Sequence, residues 1–387
     1  AAIVLTLVVS ACSQTPERAA PVLEPQLGPP GTVAGVGAAL SRAGQLYALT
    51  EDHTSVEDEN FGHTEIERAT LSRYSRSGSL LWERQVGEWW CHTELYDPSC
   101  GSFDALDTAA DHAGNAYTLV YYRYEGCEGT YEAYSAQITK LNASGADLWS
   151  KDVGNMSAFF VDPSGNVYVV GNNDTGYGQA CDYEGTDTDP PYAEIVRKYT
   201  ADGALLWERK LDAAVGTPTD VTVSGSGSVY VGGSAGTSRY SGLGSLTWTK
   251  SGAAHEVVVS GPNLYTRAGT TLRRLSGTGK QLWSKTISSL NRPTPLRLAG
   301  DTAGNLYVAG AYTTSSRGSD AFVRKYSGSG SLVWSRGFGT DANDTARGVA
   351  SYDGSEIYVV GDAPGWLAGT AAYLRKMDRN GTRVWAR

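Results

Sequence analysis

One spacing recurs seven times along this chain: a basic residue, a glycine five positions later, and a tryptophan four positions after that. The copies are Arg73-Gly78-Trp82, Lys140-Gly145-Trp149, Lys198-Gly203-Trp207, Arg239-Gly244-Trp248, Arg274-Gly279-Trp283, Lys325-Gly330-Trp334 and Lys376-Gly381-Trp385. They use seven of the ten tryptophans, so the architecture must be built from repeated units. Each glycine closes a short polar tip, as in Ser77-Gly78, Asp202-Gly203 and Asn380-Gly381. A two-residue type I′ turn needs positive φ at both centres, which glycine and asparagine tolerate. That turn puts the basic residue directly opposite the tryptophan, with its aliphatic stem expected to lie on the indole. Recurrence in every unit argues for a structural role for these cations.

A second motif precedes each copy. Its clearest forms are Asp111 to Tyr117, Asp162 to Tyr168 and Asp301 to Tyr307, each with an internal Gly-Asn; degenerate forms end at Tyr47, Tyr230, Tyr265 and Tyr358. It reads as a tight turn followed by an alternating strand, as in Val167 to Gly171. The aspartate is expected to bond back to the turn's own backbone, a more economical reading than a metal site.

Each unit therefore reads as strand, tight turn, strand, connection, strand, turn, strand. Seven such units imply an all-β, seven-bladed β-propeller of four-stranded antiparallel blades. The expected repeats are about 33–87, 104–154, 156–212, 217–251, 254–288, 294–339 and 346–387. The abundance of glycine (47) and tyrosine (23), with only two methionines, fits many short strands. This repeat, most closely over residues 320 to 339, resembles that of the SBBP (seven-bladed β-propeller repeat) proteins of bacterial envelopes. The resemblance covers about 33 to 387 and implies a fold, not an activity. The Gly-x3-Trp ending also resembles the tryptophan-docking motif of quinoprotein repeats. Their relatives include quinone-dependent dehydrogenases and an outer-membrane assembly scaffold. The usual Ala-x-Asp-x-x-Thr-Gly lead-in is replaced here by forms such as Lys198 to Gly203. No strand is visibly exchanged between the ends of the ring, which leaves its closure open.

The N-terminal residues suggest export. Ala1 to Val9 is an apolar run too short to span a bilayer and reads as the remnant of a signal peptide, residues 1–11. Val9-Ser10-Ala11-Cys12 resembles the bacterial lipobox, which implies lipidation at Cys12 and a membrane contact through that anchor alone. Residues 12–32 carry Pro16, Pro21, Pro25, Pro29 and Pro30 and are expected to form an extended tether. The expected location is the envelope of a bacterium, at the outer membrane or cell surface. Four further cysteines in an exported chain point to disulfides, with Cys91–Cys100 and Cys127–Cys181 the expected pairing of three arrangements.

Strand order places the second-to-third connections and the blade-to-blade connections on one face. There the sequence lengthens unevenly. Residues 51–68 are acidic, and residues 87–104 hold Trp89, Trp90 and Tyr96. Residues 121–134 hold Tyr124 and Tyr131; residues 172–193 hold Tyr177, Tyr183, Asp187 and Asp189; Trp366 lies in the last unit. We expect long loops here, forming a ligand face for an envelope protein or a glycan. A net charge of −9 gives no footprint for nucleic acid. No cofactor is expected; calcium is the one cation the acidic segments suit, although no EF-type loop occurs. No nucleophile elbow, zinc-protease helix motif, P-loop or dinucleotide fingerprint occurs. Non-catalytic binding or scaffolding is the leading expectation. An assembly factor or quinoprotein-like propeller and a glycan-acting enzyme are the alternatives.

Overall fold

A computed structural model describes residues 32–41, 44–58, 62–92, 102–125, 132–173, 193–287, 296–314, 318–364 and 370–387. Blade one comprises β1 (Thr32–Leu40), β2 (Leu46–Asp58), β3 (Gly62–Tyr74) and β4 (Leu80–His92). Blade two comprises β5 (Ser102–Ala110), β6 (Ala116–Glu125), β7 (Glu132–Leu141) and β8 (Asp147–Gly154). Blade three comprises β9 (Met156–Val161), β10 (Val167–Asn172), β11 (Glu194–Tyr199) and β12 (Leu205–Lys210). Blade four comprises β13 (Pro218–Val223), β14 (Val229–Gly233), β15 (Gly236–Tyr240) and β16 (Leu246–Ser251). Blade five comprises β17 (Glu256–Ser260), β18 (Asn263–Ala268), β19 (Thr271–Leu275) and β20 (Gln281–Thr286). Blade six comprises β21 (Arg297–Gly300), β22 (Leu306–Thr314), β23 (Gly318–Tyr326) and β24 (Leu332–Phe338). Blade seven comprises β25 (Thr345–Ala350), β26 (Glu356–Pro364), β27 (Thr370–Asp378) and β28 (Arg383–Ala386).

Every blade is a four-stranded antiparallel meander in sequence order. The first strands form the inner ring: β1 packs on β5, β5 on β9, and so on through β25, which packs back on β1. The chain is thus a seven-bladed propeller, as the repeat implies. Second strands lie between neighbouring blades and are buried on both faces, which explains runs such as Val167 to Gly171. Outer strands are exposed except for the tryptophan, which is half-buried.

The outer hairpin shows how the repeat works. All seven basic residues do stand opposite their tryptophans, from Arg73↔Trp82 to Lys376↔Trp385. The tip is not a two-residue type I′ turn, however. In blade one Gly78 N–H donates to Ser75 O and Ser75 N–H to Ser79 O, with Gly78 at φ 85°. That is a three-residue loop ending in a left-handed glycine bulge. A second bulge, at Leu81, then restores the register, because Tyr74 faces Leu80 while Arg73 faces Trp82. The same shift recurs in all seven outer hairpins. Bulges on outer strands also discourage pairing with another sheet.

The basic residue also faces the tyrosine on its other side. The row across each sheet is tyrosine, basic residue, tryptophan, and the ammonium of Lys140, Lys198, Lys325 and Lys376 sits 5.1–5.5 Å from the tyrosine centroid. Tyrosine and tryptophan rings meet at 5.7–6.4 Å in every blade. The indole is taken by the next blade. Trp82 N–H donates to Ala143 O, and Gly145 lies against the ring, where a Cβ would stand 3.1 Å away. The same clasp joins Trp149 to Ala201, Trp207 to Gly242, Trp248 to Gly277, Trp283 to Gly328 and Trp334 to Arg379. In several blades the basic residue donates to the same carbonyl: Arg73 to Ala143, Lys140 to Ala201, Arg239 to Gly277 and Arg274 to Gly328.

The seventh clasp closes the ring. Trp385 N–H and Lys376 Nζ both donate to Arg76 O of blade one, and Arg387 Nε donates to Gly78 O. Among the described residues no strand is exchanged; side-chain clasps and the β1–β25 contact hold the ends together. Thr32 pairs with His53, so the chain joins the ring on the side where β2 ends.

Candidate binding face and central bore

Two regions break the sevenfold pattern. The first is the side of the second-to-third connections. Residues 51–58 and 62–68 are not loop: β2, β3 and β4 are each 13 residues long and stay paired out to Asp58↔Gly62 and Thr64↔His92. The polar segment satisfies its backbone by pairing with itself, with threonine, valine and isoleucine at Thr54, Val56, Thr64 and Ile66 favouring the extended state. Likewise β6 reaches Glu125 and β7 begins at Glu132, so most of residues 121–134 are strand. Blades one and two therefore carry raised walls, whereas β14 and β15 of blade four have five residues each.

The foot of the blade-one wall is fastened to blade two by charge. His53 Nε2 lies 2.8 Å from Glu51 Oε1, and Nδ1 lies 3.0 Å from Glu67 Oε1. The other oxygens of these carboxylates accept backbone N–H groups of β5, Ala105 at 2.7 Å and Phe103 at 3.0 Å. Hydrogen bonds to Glu51 first, and then to Glu67, raise the His53 pKa to about 10 despite its burial. It is an imidazolium at neutral pH and fixes both carboxylates. Beside it, Arg68 Nε donates to Glu88 Oε1 at 2.6 Å. Burial, then the charges of Glu51 and Glu67, raises the pKa of Asp104.

Of the aromatic residues expected to bind ligand, Trp89 is half-buried in the apolar cluster of blades one and two, beside Phe103 and Tyr122. Trp90 and Tyr124 are placed in β4 and β6 by their backbones. Tyr96, Tyr131, Tyr177, Tyr183, Asp187, Asp189 and Trp366 lie outside the described residues, as do Cys12, Cys100, Cys127 and Cys181; Cys91 is placed by its backbone in β4. The repeated aspartates are occupied within their turns: Asp111, Asp162 and Asp301 each accept from the backbone N–H and the side-chain amide of the asparagine four positions on, and from the tyrosine hydroxyl. Among the described residues no group of three or more His, Cys, Asp or Glu side chains is placed to hold a metal ion.

The second irregular region was not foreseen. One position of each inner strand, two residues before the one that pairs with the tyrosine of the repeat, holds Gly37, Asp107, Ala158, Asp220, Glu256, Arg297 and Gly348. Three acids and one arginine thus share one layer of the ring. Asp107 of blade two senses Arg297 of blade six and Glu256 of blade five, residues it can face only across the central bore. Asp220 Oδ2 accepts Val257 N–H of the next blade at 2.7 Å, and Glu256 Oε1 accepts Leu298 N–H of the next at 2.8 Å. Glu256 also accepts Arg267 Nε at 2.6 Å, and Arg347 pairs with Asp362. A Cβ on Gly37 would stand 2.6 Å from Asp107 Oδ1, so the small residue in blade one makes room for that carboxylate. The signal available in sequence was the fixed offset from the turn; the changing residue types hid it. At the tight-turn end, the His112 and Tyr352 rings meet edge-on at 6.0 Å, so side chains of blades two and seven meet there.

No protein-family model and no curated protein matches this chain. Among solved structures it is similar to a Dyadobacter fermentans protein of unknown function (TM-score 0.48, 8% identity, covering 90% of this chain and 95% of that one). It is also similar to apo AztD from Citrobacter koseri (TM-score 0.43, 11% identity, 92% and 95%). A third is a gluconolactonase from Xanthomonas campestris (TM-score 0.31, 12% identity, 62% and 85%).

Proposed function

We propose that this chain is a non-catalytic binding platform of the bacterial envelope, held by a lipid at Cys12, with the walls of blades one and two as its recognition side. One observation carries the reading. Strands lengthen at one end only and in some blades only: 13 residues in β2, β3 and β4 against five in β14, β15 and β19. The inner ring and the clasps do not require that length. Extensions mounted on a rigid scaffold are where recognition concentrates. The acidic and aromatic content of the walls suits a basic protein surface or a glycan.

The test compares capture from envelope extract by residues 32–387 and by a variant with residues 55–65 and 124–133 replaced by tight turns. A partner retained by the first and lost by the second supports the reading. Identical captures overturn it. Metabolic labelling with a fatty acid, in the full chain and in Cys12→Ala, separately tests the anchor.

A further inference from the structure

Charge is spread unevenly around the ring. Residues 221–300 hold nine lysines and arginines and one acid, Glu256, in a chain of net charge −9. Glu256 lies on the inner strand β17, where it accepts Arg267 Nε and Leu298 N–H. The outer strands carry the difference. β16, β20 and β24 hold Lys250, Lys285 and Arg336 and no carboxylate, whereas β4, β8 and β12 hold Glu83, Glu88, Asp147, Asp152 and Glu208. These three cations stand two residues after the clasp tryptophan, as Arg84 does in blade one. Arg84 is ion-paired with Asp147 of blade two; among the described residues no carboxylate pairs with Lys250, Lys285 or Arg336.

The same rim departs from the repeat in a second way. The residue before the clasp glycine is polar in six blades, Ser77, Ser144, Asp202, Thr278, Ser329 and Asn380, and is Leu243 in blade four. Leu243 is 81% exposed, more than any other large apolar side chain among the described residues. The neighbouring tip of blade five, fastened to blade four by the Trp248 clasp, carries Lys280. Lys250 and Lys280 are exposed, and Lys285 and Arg336 each donate to a carbonyl of the next tip, which leaves their charge uncompensated. We propose that this rim, the clasp end of blades four to six, docks on the headgroup region of an anionic lipid bilayer, with Leu243 entering the acyl boundary and the four cations on the headgroup phosphates.

Charge and apolarity each narrow the occupant. Cations without carboxylate partners draw the rim to an anionic surface, by about fivefold in affinity for each lysine or arginine near it. A soluble polyanion satisfies the cations but gives an exposed leucine nothing to bury against, whereas an acyl boundary does. Ring order adds the direction. Blades four and five stand across the ring from blade one, and the clasp end lies opposite the wall end. A disc docked by this rim holds the acidic wall of blade one clear of an anionic surface that repels it. The contact does not rest on a lipid at Cys12 and is tested without one.

The experiment is vesicle co-sedimentation of the full chain carrying Cys12→Ala, with phosphatidylcholine alone and with about one third phosphatidylglycerol. The chain should sediment with the anionic vesicles only, and at least about tenfold more weakly at about 0.5 M salt than at about 0.1 M. Adding Lys250→Gln and Lys280→Gln together should weaken binding about thirtyfold, and Leu243→Ser about tenfold. Leu81→Ser, on the carboxylate-bearing rim of blade one, should change it by less than about twofold. Equal sedimentation with both vesicle types, or binding that survives the lysine and leucine changes, overturns the proposal. Binding to heparin without binding to vesicles assigns the rim to a soluble polyanion and overturns the lipid reading. Should the variants fail to fold, the salt dependence and the two vesicle types decide: binding that ignores salt overturns the docking face.

Discussion

The tight-turn side and the wall side are built from the same strands and obey opposite rules. On the first, every blade places a tryptophan on the next blade's glycine, and the spacing never varies. On the second, strand length ranges from five residues in β14 to 13 in β2. The reason is mechanical. A clasp joins two blades, so its geometry is shared and one altered copy strains a neighbour. A hairpin that rises beyond the ring pairs only with itself, and its length is free to drift or to be selected.

The largest effect should come from removing the clasp that no peptide bond supports. Trp385→Ala should cost about 3–5 kcal/mol, and more than Trp248→Ala, whose two blades are also joined through the chain. Equal losses in denaturant unfolding would show that closure has no special weight. Next is the glycine under the indole. A Cβ would stand 3.0 Å from the ring at Gly78 but 3.4 Å at Gly203, with φ of 85° and 80°. Both alanine substitutions pay for the left-handed backbone, about 1 kcal/mol, and Gly78→Ala should cost more because the indole must also move.

Smaller effects belong to the wall side. His53→Ala should unfasten Glu51 and Glu67 from β5 and speed amide exchange at Phe103 and Ala105 roughly tenfold, without lowering protection in blade five. Since His53 is raised to about 10, its ion-pair contribution is complete below the ordinary histidine value of about 6.5 and is lost as pH climbs through about 10. A ring-proton NMR titration centred near 6.5 would refute the pairing. Smallest of all, trimming residues 55–65 to a tight turn should change the melting temperature by less than about 2 °C. A large loss there would mean that the wall braces the ring.

What was legible follows the same division. The repeat and its cross-hairpin pairing were readable because Arg73, Gly78 and Trp82 keep their spacing in all copies. The reach of the tryptophan to the next blade was not, since the partner of Trp82 is the backbone carbonyl of Ala143, 61 residues away. The turn type was misread, since a left-handed glycine follows the tip in either geometry, and the bulge at Leu81 hides the extra loop residue from a count of positions. The wall was taken for loop because its charges, Glu51, Asp52, Glu57 and Glu65, outweighed the extended-state preference of Thr54, Val56 and Ile66. The bore layer stayed invisible because Gly37, Asp107, Ala158, Asp220, Glu256, Arg297 and Gly348 share a place and no chemistry.

The pairing of Thr32 with His53 fixes which way the molecule looks. Thr32 opens β1 at the wall end of blade one and not at the clasp end, so the first described residue and the wall stand on the same side of the ring.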